Sequence, residues 1–183
     1  FYKPIIKTSE PQQVLEVLKQ FRILCASRTS NYGSEAINEF ISRKFFNSSD
    51  QALYSGRCIM IMRNDYSLGL FNGDIGVIML SKEKVPVACF PSPDNSIREF
   101  PPSLLPDYET SFAMTIHKSQ GSEYKNIFLV LNDKQQNLLS KELIYTGITR
   151  AREHVQIYAS LQGLCSASKN RTLRFSGLRV HLN

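Results

Sequence analysis

The residues with the richest binding chemistry lie in one short polar segment, 117–123, between two apolar runs. Lys118 and Ser119 can bind phosphate oxygens, because an ammonium group and a hydroxyl both donate hydrogen bonds. Glu123 suits sugar hydroxyls better, because a carboxylate only accepts hydrogen bonds. Gly121 permits a positive φ or a close approach of the backbone to a ligand. The segment therefore predicts contact with a nucleic-acid backbone on one side and a nucleotide ribose on the other, and a solvated polar turn is the alternative.

A second candidate segment contains Arg150 and Arg152, near the end of a predicted helix that spans 140–153. At about 3.6 residues per turn these arginines point about 200° apart, so one can reach a γ-phosphate while the other faces solvent or backbone carbonyls. Arginine suits that phosphate because its planar guanidinium stays charged and neutralises a phosphoryl-transfer transition state. The alternative for either residue alone is a solvated arginine on an amphipathic helix. The apolar residues expected to face the core are Leu143, Ile144, Gly147, Ile148 and Ala151.

The elements that must position these segments alternate between helices and strands, which is typical of an α/β domain. A first helix is predicted to begin where Ser9 can cap, Pro11 suits the first turn and Gln12 lies at the capping-box position. Thr115 lies near the end of a predicted strand, and ligands of open α/β sheets bind outside the carboxyl ends of strands. The first helix is expected to bury Val14, Leu15, Leu18 and Phe21. The other predictions are strands at 22–27, 111–116, 126–131 and 154–160, a helix at 34–46 and a partly helical basic tail at 168–183.

The middle of the chain has a different pattern, with short strand-like runs separated by turn signals. Strands are predicted at 57–63, 73–81, 85–92 and 96–102, and the turns contain Asn64-Asp65, Asn72-Gly73 and Pro93-Asp94-Asn95. Short strands at this spacing predict a small all-β barrel. The predicted architecture is one α/β domain in two parts, 1–50 and 109–183, interrupted by a barrel at 51–108.

Composition limits the possible classes of protein. The 183 residues include 22 lysines and arginines against 16 acids, a net charge of +6. This balance fits a polyanionic partner, with a mildly basic soluble domain as the alternative. No apolar run approaches the roughly 20 residues of a membrane span. Because the chain begins without Met and without a signal-peptide pattern, we expect a fragment of a longer cytoplasmic protein.

The cysteines indicate neither a metal site nor a disulfide framework. Cys25, Cys58, Cys89 and Cys165 are widely separated and form no C-x-x-C pair. A chain with a core of this size does not need disulfides for stability. We therefore expect four buried or half-buried thiols and no metal site.

The two candidate segments together resemble motifs V and VI of superfamily 1 helicases. "AMTIHKSQGSEY" is similar to motif V, in which Thr-x-His is followed by Lys, Gln-Gly and an acid, here at 115, 117, 118, 120, 121 and 123. "LIYTGITRAR" is similar to motif VI. Together with "ILCASRTSNYGSEAIN" and "GRCIMIMRNDYSLGLFNGDIGVI", these motifs resemble the C-terminal part of the RecD family, the alpha subunits of exodeoxyribonuclease V. The resemblance covers nearly the whole chain and implies a second RecA-like (P-loop-NTPase-type) motor lobe with an inserted SH3-like barrel.

The resemblance also implies roles for individual residues. Arg150 would be the motif VI arginine that stabilises the γ-phosphate of ATP bound with Mg²⁺. Arg28 resembles, more loosely, the motif IV arginine that reaches the same phosphate. The other implied ATP-binding residues are Gln120, Gly121 and Glu123. The implied residues for single-stranded DNA are Thr115, His117, Lys118 and Ser119, and Lys118 and Ser119 suit either ligand. The barrel turns add Arg63, Asn64, Phe71 and Asn72 as DNA-guiding candidates, with ordinary hairpin chemistry as the alternative.

The sequence contains no G-x-x-x-x-G-K-[ST] loop and no Walker B acid pair. Phosphoryl transfer needs a phosphate cradle and a magnesium ligand, so the chain is predicted to be half of an ATP site and inactive alone. The parent protein would supply the first RecA-like lobe before Phe1. The resemblance implies a 5′ to 3′ DNA helicase in double-strand break repair and recombination, with RecB-like and RecC-like subunits as possible partners.

Two other readings of the sequence differ in class from a motor. A nuclease is disfavoured, because its candidate acids are scattered over turns without the clustering that two-metal chemistry requires. These acids are Asp65, Asp74, Asp94 and Asp107. A non-catalytic docking or nucleic-acid-binding module of a multi-subunit helicase-nuclease is the stronger alternative.

Overall fold

The computed structural model describes residues 2–49, 52–94, 96–132 and 139–170, which form two sheets with helices around one of them. The N-terminal elements are α1 (Lys3–Lys7), α2 (Pro11–Gln20), β1 (Phe21–Cys25) and α3 (Ser34–Phe46). The middle elements are β2 (Arg57–Ile61), β3 (Ile75–Leu80), β4 (Pro86–Pro91), β5 (Ile97–Phe100) and β6 (Tyr108–Thr110). The C-terminal elements are β7 (Ala113–Thr115), β8 (Tyr124–Val130), α4 (Lys141–Ile148), β9 (Ala151–Tyr158) and α5 (Leu161–Lys169).

The first sheet is parallel and has the strand order β7-β1-β8-β9. Its central strand β1 is buried at every position, as expected for a strand covered on both faces. Helices α2 and α3 contribute apolar residues to the core on one face, and α4 and α5 contribute to the core on the other. The predicted α/β fold with a parallel sheet is therefore confirmed.

Most of the predicted helices and strands appear, with differences at their ends. The predicted helix at 34–46 matches α3 residue for residue. Helix α2 ends one residue before Phe21, because Phe21 begins β1, in register with Asn126 of β8. The predicted cap at Ser9 is wrong: the N-cap residue is Glu10, and it makes no side-chain capping bond. Helix α1 is an element that the sequence analysis missed, and residues 171–183 of the predicted tail lie outside the described residues.

The inserted strands form an antiparallel sheet in the order β5-β4-β3-β2-β6. The four predicted strands are present, and β6 is an addition that pairs with β2, Tyr108 being opposite Ile61. Within the described part of the chain no pairing joins the two edge strands, β5 and β6, so the sheet does not close into a barrel through this pair. An antiparallel sheet with one 3-10 turn, Pro102–Leu104, therefore lies where the insertion is predicted, while the SH3-like closure and the boundaries 1–50, 51–108 and 109–183 stay predictions.

The inserted sheet is buried on both faces, against two different cores. Cys58, Val77 and Cys89 belong to the core that α2 and α3 also line. Ile59 and Phe90 belong to a second, smaller core within the insertion. Neighbours in a strand point to opposite faces, so the alternation along β2 and β4 attaches the insertion to the α/β part through a continuous apolar layer.

A buried arginine also joins the two sheets. Arg22 of β1 is 1% exposed, and its Nη1 donates to the carbonyl oxygen of Ser111 and lies 3.5 Å from Cys58 Sγ. Its Nη2 donates to the carbonyl oxygen of Leu18 at 3.2 Å. The guanidinium lies 5.1 Å from the ring centroid of Tyr124. Arg22 thus connects the insertion to the first residue of β8.

The cysteine predictions hold at three of the four positions. Cys25, Cys58 and Cys89 are buried free thiols, whereas Cys165 is exposed on α5. Burial raises the pKa of the Cys25 and Cys89 thiols to about 12, so both stay protonated at neutral pH. In the ranges that the structure describes, no helix has the length and apolar character to cross a membrane.

Candidate nucleotide and nucleic-acid site

The polar loop between β7 and β8 joins opposite ends of the parallel sheet. Strand β7 ends at Thr115, which is level with Cys25 at the carboxyl end of β1. Strand β8 begins at Tyr124, which pairs with Ala151 at the amino end of β9. The loop therefore returns along the sheet, a distance of roughly 20 Å for the six residue steps of β8 from Tyr124 to Val130, which is level with Cys25. One loop can therefore contact two ligands, one at the carboxyl edge and one at the amino edge of the sheet.

This path places the candidate residues at both edges of the sheet, and not only beyond the carboxyl ends of the strands, where ligands of open α/β sheets usually bind. Thr115 and His117 are at the carboxyl edge, as expected. Glu123 and Arg150 directly precede β8 and β9 and are at the amino edge. The return turn includes Gly121, whose φ of +86° is in the left-handed region that favours glycine.

Ser119 is not available to a ligand in this conformation. Its side chain is fully buried, and its hydroxyl donates to the carbonyl oxygen of Ile116 at 2.7 Å. The predicted contact of Ser119 with DNA stays a prediction that this conformation does not support, because the 3-10 turn His117–Ser119 points its last residue inward. His117 and Gln120 on the same loop are exposed.

The helix predicted over 140–153 ends early, at Ile148. The hydroxyls of Thr146 in its last turn and of the C-cap residue Thr149 both donate to helix carbonyls, which competes with regular helix propagation. Beyond this turn the backbone of Ala151 pairs with β8. Arg150 therefore lies in a turn and Arg152 in a strand, so the predicted angle between two helical positions does not apply.

Arg150 is held by neutral oxygens. Its Nε donates to the carbonyl of Thr146 at 3.2 Å, its Nη1 to the carbonyl of Ser122 at 3.3 Å, and its Nη2 to Thr149 Oγ1 at 3.3 Å. No ion pair joins it to any carboxylate of the described ranges. The guanidinium is thus oriented by the protein, and none of the carboxylates in the described ranges neutralises its charge, which suits an anionic ligand.

Arg152 has a different partner from Arg150. Its Nε donates to Glu123 Oε2 at 2.9 Å, and both side chains are more than half exposed. The pair fixes the direction of the Glu123 carboxylate at the amino edge. Sequence analysis missed it, because the contact depends on the parallel pairing of β8 and β9.

Arg28 does not lie beside Arg150. It follows β1 at the carboxyl edge, where its Nε donates to Glu35 Oε1 at 2.8 Å and its Nη2 lies 3.7 Å from Glu109 Oε2. Lys118 is close by, with its Nζ 2.7 Å from Glu109 Oε1. Two residues predicted to meet phosphates therefore share one carboxylate, and the structure does not bring the two candidate γ-phosphate arginines together.

A polar cavity of about 540 Å³ lies between the loop and the insertion. Asn72 of the insertion lines the cavity together with His117, Lys118, Gln120, Gly121 and Ser122 of the loop. The predicted residue Asn72 and the predicted loop residues are therefore close in space. Asn64 has a structural role instead, since its Oδ1 accepts from the Asn72 backbone N–H at 2.8 Å.

Phe71 is 46% exposed and Tyr66, which the sequence analysis missed, is 80% exposed. Arg63 is exposed on the same turn.

The turn that contains these aromatic residues is internally braced. The rings of Tyr66 and Phe71 meet edge to face with centroids 6.0 Å apart. Asp65 Oδ1 accepts from the Ser67 N–H at 3.0 Å, and Asp74 Oδ2 accepts from the Phe71 N–H at 2.9 Å. Exposed aromatic rings on a rigid support are suited to stacking with unpaired bases.

Similarity to known proteins agrees with the motifs. Residues 110–158 match the UvrD-like helicase C-terminal domain. The chain is 34% identical to the RecBCD enzyme subunit RecD of Buchnera aphidicola subsp. Schizaphis graminum, over 87% of this chain and 28% of that protein. It is 31% identical to the ATP-dependent RecD2 DNA helicase of Deinococcus radiodurans, over 54% of this chain and 13% of that protein. The chain thus spans little more than a quarter of the curated relative that it matches over most of its length.

The fold is also shared with a solved helicase. A Pif1 helicase from Bacteroides, crystallised with ADP-AlF3 and ssDNA, superposes with a TM-score of 0.54 at 14% identity. The match covers 98% of this chain and 52% of that one. The resemblance to RecD is confirmed by sequence similarity, and the helicase-like α/β fold by this structural match.

Proposed function

We propose that the chain is the second motor lobe of a RecD-like, ATP-dependent DNA helicase that acts in double-strand break repair. In this proposal it supplies half of the ATP site and part of the track for single-stranded DNA. The observation that carries the proposal is the loop 116–123, which runs from the carboxyl edge of the parallel sheet to its amino edge. A motor must couple its two ligands, and a loop that contacts both provides a direct mechanical connection.

The nucleotide side of the proposal consists of the amino-edge residues. Arg150 would contact the γ-phosphate, where its uncompensated charge stabilises the transition state of phosphoryl transfer. Glu123, oriented by Arg152 at 2.9 Å, would accept hydrogen bonds from the ribose. Gln120 and Gly121 are proposed for the nucleotide as well, and they line the same cavity as His117 and Asn72, between the two groups of residues. Bound ATP with Mg²⁺ supplies the phosphoryl group, and the first lobe of the parent protein would hold the remaining phosphates and the metal.

The DNA side of the proposal consists of the carboxyl-edge residues and the braced turn. Thr115 and His117 would contact the strand, with Asn72 across the cavity of about 540 Å³. Tyr66 and Phe71 would stack with bases. The partners of the whole protein would be single-stranded DNA, the first RecA-like lobe and, in a RecBCD-type assembly, RecB-like and RecC-like subunits.

The isolated 183-residue chain is expected to hydrolyse ATP no faster than a protein-free control. A phosphate cradle and a magnesium ligand are both needed for turnover, and this sequence carries no G-x-x-x-x-G-K-[ST] loop. Phosphate release would be measured with ATP, Mg²⁺ and single-stranded DNA. Turnover above about 1 per second, the range of ordinary enzymes, would contradict the half-site proposal.

Replacing Tyr66 or Phe71 by serine is expected to weaken binding of the chain to single-stranded DNA about fivefold or more for each residue. Base stacking on an aromatic ring is worth about 1 to 3 kcal/mol. Fluorescence anisotropy with a labelled oligothymidine at several salt concentrations measures the effect, and affinity should fall as salt rises. Phe40→Ser is the matched control, because Phe40 is 61% exposed on α3. Equal losses for all three variants would show that the turn has no special role.

A further inference from the structure

One carboxylate of the insertion is held between two cations of the α/β part. Glu109 belongs to β6, and its Oε1 lies 2.7 Å from Lys118 Nζ. Its Oε2 lies 3.7 Å from Arg28 Nη2. Lys118 is in the polar loop and Arg28 follows β1, so three separate segments meet at this cluster.

The cluster is partly shielded from solvent. The Lys118 and Glu109 side chains are 27% and 26% exposed, and Lys118 Nζ also lies 3.6 Å from Met62 Sδ. Attraction between charges in a partly buried pair is screened less than on an open surface. In this conformation Lys118 is therefore compensated, and an incoming anion meets a cation that is already paired.

The position of the cluster identifies the anion that would compete with Glu109. Arg28 and Lys118 lie at the carboxyl edge beside Thr115, whose Oγ1 accepts from the Lys118 N–H at 3.3 Å. This edge is opposite to the one that contains Arg150. A phosphate of the DNA backbone presents to lysine the same kind of acceptor oxygens as a carboxylate, so a strand on this edge brings a phosphate within reach of Lys118, while Arg28 already donates to Glu35 Oε1 at 2.8 Å.

We propose that Lys118 binds one backbone phosphate of single-stranded DNA, and that the Glu109 carboxylate, which Arg28 also contacts, occupies this position when no strand is bound. This inference rests on the proposed function. Binding then exchanges one ion pair for another: Lys118 leaves Glu109 and binds the phosphate, while Glu109 keeps Arg28 as a partner. Glu109 thereby lowers the affinity for DNA and also makes that affinity depend less on salt concentration. The lower affinity favours release of the strand as the motor moves.

The test compares Glu109→Gln with wild type in the full-length protein, by anisotropy with a labelled oligothymidine across a salt series. Removing the competing carboxylate should tighten binding about fivefold at low salt, the effect of about 1 kcal/mol from one ion pair. The salt slope should steepen by about 0.7, the value for one added phosphate contact on a single strand. Glu39→Gln, which removes the carboxylate paired with Arg43 at 2.6 Å on α3, is the matched control and should match wild type in both quantities.

Two further variants identify the cation involved. In Glu109→Gln/Lys118→Gln the salt slope should return to the wild-type value, and a slope that stays steep would overturn the proposal. Lys118→Gln alone should weaken binding severalfold with an unchanged slope, because the lost charge was already compensated. This single variant decides the matter if Glu109→Gln fails to fold, and unchanged affinity or a flatter slope would count against the site.

The outcomes separate this inference from the proposed function. Wild-type protein that binds no oligothymidine even at low salt would contradict the DNA-facing role of the whole edge. Salt-dependent wild-type binding, with Glu109→Gln indistinguishable from Glu39→Gln, would overturn only the role of Glu109.

Discussion

Replacing Arg150 by alanine in the full-length protein is expected to lower DNA-stimulated ATP turnover by about 10³-fold or more and to leave ATP affinity nearly unchanged. The first lobe would hold most of the phosphate contacts, so Arg150 would act mainly when charge shifts in the transition state. Its hydrogen bonds to Thr146, Ser122 and Thr149 orient the guanidinium before ATP binds. Steady-state ATPase assays with and without DNA, beside equilibrium nucleotide binding, measure both quantities.

The controls for Arg150 use other cations of the chain. Arg150→Lys should restore little activity, because lysine lacks the planar fork. Arg43→Ala removes an exposed charge on α3 and should leave turnover unchanged. Arg152→Ala should mainly raise KM for ATP, since it frees the Glu123 carboxylate. Turnover above about a tenth of wild type in Arg150→Ala would reject the arginine-finger role and favour a docking module.

A separate and large effect is expected on stability from Asn38→Ala. Asn38 is 5% exposed on α3, and its side chain contacts the last residue of β6 and the first residue of β7. Its Nδ2 donates to the carbonyls of Thr110 at 2.8 Å and Ala113 at 2.9 Å, and its Oδ1 accepts from the Ala113 N–H at 2.8 Å. Loss of these bonds leaves buried backbone groups unsatisfied, which should lower the free energy of unfolding by about 3 to 5 kcal/mol.

Urea denaturation followed by circular dichroism measures the effect of Asn38→Ala. Glu39→Ala, at the next and exposed position of the same helix, is the control and should change the free energy of unfolding by less than about 0.5 kcal/mol. A loss below about 1 kcal/mol for Asn38→Ala would mean that water replaces the three bonds. The expected result would explain the role of Asn38, which holds the end of β6 and the start of β7 against α3 and so helps to position Thr115.

The sequence by itself determined the elements that have a strong local signal. Helix α3 was predicted at its true bounds, because its apolar residues recur at helical spacing between a glycine at its start and Asn47, which takes the left-handed conformation at its end. Apolar runs between turn signals predicted strands β2 to β5 of the insertion, whereas β6 was not predicted. The order of residues in the polar loop identified the helicase resemblance. These signals depend on neighbours in the chain, so they survive without knowledge of the fold.

Only the tertiary structure decided which of the candidate residues share an edge. Arg28 and Arg150 follow and precede parallel strands, so they lie at opposite ends of one sheet although both were predicted at one phosphate. The inward turn of Ser119, the pairing of Arg152 with Glu123 and the Glu109 carboxylate between Arg28 and Lys118 are likewise invisible in the sequence. Each depends on strand order and on contacts between residues distant in the chain, and these are set by the global burial of apolar surface, which local spacing does not encode.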